Sequence, residues 1–195
     1  MGDGFGNKGI GTGDQAVAGG AKLVHINLAT GKVVNSYVFK APTLQPTSYL
    51  DDVRFNGDFA YITDPGAVGL VVLNLKSGKS WRVLDNHPSI DHQPIYADGK
   101  KLILRDGREK RVGLDQLEVS PDGKWLYYQA IPGPLARIET RYLNDSALSA
   151  AEVAKHAEKC AKPGAPAEQP LMPKAIFMRR ISIPAALNAS RLMAK

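Results

Sequence analysis

Two different segments of this chain each occur twice, in a fixed order, and this limits the folds open to it. LVHINLATGK at 23–32 returns as LVVLNLKSGK at 70–79. VRFNGDFAYI at 53–62 is echoed by VSPDGKWLYY at 119–128, and more briefly by YADGKKLIL at 96–104. Each unit reads as a strand, a Gly-containing turn and a second strand. Repeated strand units spaced about 40–50 residues apart mark the blades of a β-propeller. A β-sandwich would supply strands of this length, but it does not explain two motifs recurring in order. The expected fold is all-β, a partial propeller with a short helix and an irregular C-terminal tail.

The organisation divides into four parts. Residues 1–20 carry eight glycines, too many for a packed strand or helix, and read as irregular. Residues 21–145 hold the blades. Residues 146–169 read as a short helix and a Pro/Ala linker. There Ser149 and Glu152 form a capping box, Leu148 and Val153 sit where a hydrophobic staple would, and the helix runs to about Lys159. Residues 170–195 form a basic tail.

Charge and composition exclude several classes. The net charge of +6 is not spread over the body: 170–195 holds five of the 25 basic residues and none of the 19 acidic ones. The remaining 20 and 19 nearly balance, so no nucleic-acid surface is expected. No apolar run is long enough to span a membrane. The N-terminus lacks the basic start and apolar stretch of a signal peptide, so the chain as written is expected to stay in the cytoplasm. Cys160 is the single cysteine and allows no internal disulfide.

The segment 50–89, LDDVRFNGDFAYITDPGAVGLVVLNLKSGKSWRVLDNHPS, resembles the major royal jelly protein/Yellow family, in particular its bacterial members. The run from Gly113 to Asp145 resembles a later family stretch, and the likeness covers roughly residues 20–163. It implies a six-bladed propeller of which two to three blades are present. It also implies an extracellular or periplasmic full-length protein that binds a small ligand in the central channel. The piece alone is expected to be non-functional, with a further chain as the candidate supplier of the missing blades. Gln116 stands where Gly is usual, Asn74 where Asp is usual, and Asp51 where Asn is common.

The candidate ligand-binding residues are Asp51, Asp52, Arg54, Asp64 and Asp115. By spacing, the first three lie at the start of a strand, Asp64 at the end of the next, and Asp115 at a strand start one blade later. Carboxylates converging from several blades suit a hard cation such as calcium. That pattern resembles the calcium-dependent gluconolactonase-type hydrolases, although the Glu and Asn residues of their site have no counterpart here. The same aspartates can equally cap turns or pair with Arg54. No resident cofactor is otherwise expected. The set His87, Asp91 and His92 does not have a recognised zinc spacing. Trp81, Trp125, Tyr127 and Tyr128 read as blade-core residues.

The tail admits another reading. One reading frame away, Met172 before Pro173 forces Ala, Met193 before Ala194 forces Gly, and Phe177 before Met178 allows only Tyr or His. The permitted alternatives include propeller-strand sequences, so a frameshift within 170–195 is expected alongside the simpler reading of a genuine basic tail.

Overall fold

The computed structural model describes residues 20–130 and 133–160. The Gly-rich start, most of the Pro/Ala linker and the basic tail with its proposed frameshift lie outside the described residues.

The chain is all-β with short helices. Strands β1 (Lys22–Ile26) and β2 (Val33–Val38) form an antiparallel hairpin. Strands β3 (Val53–Asn56), β4 (Phe59–Asp64), β5 (Gly69–Asn74) and β6 (Ser80–Val83) form a four-stranded antiparallel sheet in sequence order, the first blade. Four two-residue strands follow: β7 (Gln93–Pro94), β8 (Tyr96–Ala97), β9 (Lys100–Lys101) and β10 (Arg111–Val112). They pair as β7 with β10 and β8 with β9. Strands β11 (Leu114–Val119), β12 (Trp125–Ala130), β13 (Ala136–Glu139) and β14 (Glu158–Lys159) make the second blade. Helices α1 (Thr140–Asn144) and α2 (Ala150–Ala154) lie between β13 and β14.

The longer repeat folds into the same turn twice. In both copies an Asn side chain accepts from two backbone N–H groups: Asn27 Oδ1 from Ala29 and Thr30, Asn74 Oδ1 from Lys76 and Ser77. Each turn is closed by a bond from the Asn N–H to the carbonyl of Lys32 or Lys79, at 2.9 Å in both. Gly31 and Gly78 take positive φ, 66° and 72°, which a Cβ would resist. The amide oxygen of Asn74 thus performs the acceptor role of the Asp expected there. The brief third echo at 96–104 is a hairpin whose turn residues Asp98 and Gly99 both have positive φ, as a two-residue hairpin turn requires.

Two apolar cores result. One lies between the blades and contains Tyr61, Leu70, Val72, Leu117, Leu126 and Tyr128. The other lies between the β1–β2 hairpin and the first blade, around Phe39, Leu50, Ile62, Val71 and Leu73. Strand β5 is therefore buried on both faces, which explains its unbroken run Leu70-Val71-Val72-Leu73.

Some expectations need adjusting. Helix α2 ends at Ala154 instead of about Lys159, and residues 158–159 return as the outer strand of the second blade. Ser149 caps the helix by accepting from the Glu152 N–H, but the Glu152 carboxylate meets Lys155 instead of reaching back to the cap. The short helix α1 gives the chain no strong sequence signal, because it spans barely more than one turn. Trp125 is half-buried under the Arg137 guanidinium, 4.0 Å from the ring centroid, instead of forming part of a blade core.

Candidate functional site

In each blade the first strand, β3 or β11, is the one from which the sheet grows outward, and β11 packs against β3 and β4. Asp51 and Asp52 immediately precede β3, and Asp115 is the second residue of β11. The Asp51 N–H donates to the Thr63 carbonyl, and the Thr63 N–H to the Asp52 carbonyl, both at 3.0 Å. The Asp52 N–H donates to Thr63 Oγ1 at 2.8 Å. These bonds fix the backbone of both aspartates against the end of β4.

Asp115 is placed by a β-bulge. Leu114 pairs with Ala130 and Gln116 with Gln129, so Asp115 is the extra residue in the ladder. A bulge turns its side chain out of the regular alternation. The result is that the Asp115 carboxyl lies within the influence of Asp51, which precedes the first strand of the adjacent blade. Burial raises the Asp115 pKa to about 6, with further contributions from the shared bond to Asp51 and the negative charges of Asp51 and Asp52. The Tyr49 phenol lies in the same field: burial raises its pKa, and so do the charges of Asp51 and Asp115.

Asp52 and Arg54 have a different part. Arg54 donates to Asp52 Oδ1 at 2.6 Å and to Glu118 Oε2 at 2.9 Å, bridging the two blades. One guanidinium thus serves two carboxylates. Glu118 was not among the residues expected from sequence. Its position in β11, three residues after Asp115, is the only local hint of it.

Asp64 is not part of this group. It is fully buried, accepting from Ser48 Oγ at 2.6 Å, the Tyr49 N–H at 2.8 Å and the Ala67 N–H at 3.0 Å. Its other partner is Arg82, at 2.6 Å. Arg82 in turn meets Asp85 and the carbonyls of Thr43 and Ala67. This buried ion pair ties the loop before β3 to β4 and β6.

His87, Asp91 and His92 do not converge. His87 Nδ1 lies 2.7 Å from Ser89 Oγ, which bonds the Tyr128 hydroxyl at 3.0 Å, while His92 stays beside Asp91. Among the described residues no group of three or more His, Cys, Asp or Glu side chains is arranged to hold a metal ion. Asp52, one of the carboxylates a calcium ion would need, is already engaged by Arg54. The donor set therefore fits calcium poorly.

The family model for major royal jelly protein matches residues 10–167, most of the chain and all of the described strands. The chain belongs to the major royal jelly protein family. No curated protein sequence matches it. In this royal jelly family member, Asp115 is the bulge residue of β11 and Asp51 lies two residues before β3.

Asp115 makes stability depend on pH. The folded Asp115 pKa lies above the ordinary value of an aspartate, so the folded state holds a proton that the unfolded chain releases earlier. That contribution is present at low pH and is lost as pH rises from about 4 to about 6. Asp115→Asn should therefore stabilise the protein at pH 7 by about 1–2 kcal/mol, after allowance for solvent screening, and have no effect at pH 3. Urea denaturation at both pH values checks this, and an equal effect at both would refute the assignment.

Proposed function

We propose that this royal jelly family protein is a Yellow-like small-ligand-binding protein, exported in its complete form, whose channel holds a cationic ligand such as a protonated amine. The observation that carries the reading is the approach of Asp51, just before β3, and Asp115, the second residue of β11. Arg54 offsets one of the two negative charges of Asp52 and Glu118, so Asp51 and Asp115 add to a site that is negative overall. With its pKa raised to about 6, Asp115 gives up its proton at neutral pH and offers a carboxylate to a cation. A neutral ligand gains nothing from that charge. Binding is expected to require the further blades that complete the ring.

The test is calorimetric titration of phenethylamine and its neutral counterpart 2-phenylethanol into a chain extended to six blades, at pH 7.5. The amine should bind and the alcohol should not. Asp115→Asn should weaken the amine by about tenfold, the loss of roughly 1.4 kcal/mol. Equal binding of both compounds, or of neither, removes the reading. Calcium-dependent thermal stabilisation with lactone hydrolysis would instead favour the hydrolase alternative.

A further inference from the structure

The β1–β2 hairpin and the β5–β6 hairpin are the two copies of the longer repeat, and they differ in what lies beside them. On the side of β5 away from β6 runs β4, pairing Leu73 with Ala60 and Val71 with Ile62. The Leu75 N–H extends that ladder to the Asp58 carbonyl at 2.7 Å. Among the described residues β1 pairs with β2 alone. The positions equivalent to Val71, Leu73 and Leu75 are Val24, Ile26 and Leu28.

We propose that the free edge of β1 is a docking site for an antiparallel β-hairpin built like β3–β4. Three observations converge on this. The first is the backbone. The Phe39 N–H donates to the Ala21 carbonyl, so by antiparallel alternation Lys22 and Val24 turn their N–H and C=O groups away from β2. Among the described residues they form the unpaired row that another strand needs. The second is the repeat itself: in the other copy the equivalent edge, that of β5, is occupied by β4. Val24 and Ile26, 39% and 47% exposed, lie with Val38 of β2 on the sheet face turned away from the first blade, and alternate side chains of an added strand would extend that face. The third is continuity. Leu23 and Tyr37 already pack on the core that contains Ile62, Val71 and Leu73, so a strand added at β1 enlarges an existing core.

The repeat also specifies the occupant. The strand that covers β5 is Phe59-Ala60-Tyr61-Ile62-Thr63-Asp64, with Ala60 and Ile62 facing one core and Tyr61 the other. The partner is therefore a hairpin whose second strand alternates small aliphatic and aromatic residues, entered through a Gly turn such as Asn56-Gly57-Asp58. Recognition is strand addition: main-chain bonds hold the hairpin, and alternate side chains set its register. The edge carries little that would repel a strand. Within β1 there is no proline, and the ladder shifts only at its last residue, between His25 and Ile26.

The test uses the full chain and a synthetic peptide of its own residues 50–65, the β3–β4 hairpin, as probe. Amide hydrogen exchange is read at Lys22, Val24 and Ile26. Saturating peptide should slow these amides by about tenfold or more, as closing a strand ladder does. The same peptide with Ile62→Pro, which lacks the N–H that meets the free edge, should leave them unchanged. Because that change is made in the probe, folding of the protein does not enter. Unchanged exchange with the unmodified peptide, or equal slowing by both peptides, overturns the proposal. So does protection that grows with protein concentration before any peptide is added, since the occupant is then a second copy of the chain.

Discussion

Arg82→Met is expected to destabilise this protein by about 3–5 kcal/mol, one of the largest single-residue losses in the chain. Arg82 is 6% exposed and Asp64 is 0% exposed, so neither charge can turn to bulk water when its partner is removed. Arg82→Met leaves the Asp64 carboxylate buried with its three neutral donors from Ser48, Tyr49 and Ala67 but no cation. It also leaves the carbonyls of Thr43 and Ala67 without the guanidinium. Adding Asp64→Asn should restore part of the loss, since the amide oxygen still accepts from the backbone and no buried charge remains. Urea unfolding of the single and double variants measures both effects. A loss below about 1 kcal/mol for Arg82→Met would mean that the pair behaves like a surface salt bridge.

Leu70→Ala is expected to cost about 2–5 kcal/mol, and Leu23→Ala, the same change in the other copy of the repeat, about 1 kcal/mol or less. Leu70 is fully buried between the two blades, among Tyr61, Val72, Leu117 and Leu126. Truncation there opens a cavity walled by two sheets, which can collapse only partly. Leu23 is half-buried at the edge of the smaller core and has solvent on its outer side. Denaturation midpoints of the two variants, compared under one condition, decide the matter. Equal losses would show that β1 is covered in solution, and the free edge assigned to it would be lost.

The hairpins were the most legible part of the chain. Asn-x-x-x-Gly-Lys at 27–32 and 74–79 names a turn because its Asn supplies a local acceptor and its Gly accepts positive φ. The alternation at 53–62 and 119–128 likewise sufficed for the paired strands of the blades. Less was legible where a residue acts across the chain. Asp64 has the same sequence character as Asp51, and nothing local distinguishes a buried ion-pair partner from a carboxylate set beside another acid. The distinction comes from Arg82, which lies 18 positions away. The position of Asp115 depends on a bulge, and one extra residue in a ladder has no composition of its own. Glu118 bonds Arg54 across 64 positions, a contact that spacing alone does not predict.

The sequence by itself determined the strands, their turns and their membership in the major royal jelly protein family, because these depend on short-range preferences and on motifs that repeat. Only the tertiary structure decided what each copy of a repeat becomes. LVHINL and LVVLNL have nearly the same local preferences, yet β5 lies between two sheets, whereas among the described residues β1 pairs with β2 alone and Val24 and Ile26 stay exposed. Burial and charge pairing depend on what the rest of the chain brings alongside, and that is why the same repeat gives a strand buried on both faces in one place and a half-covered one in the other.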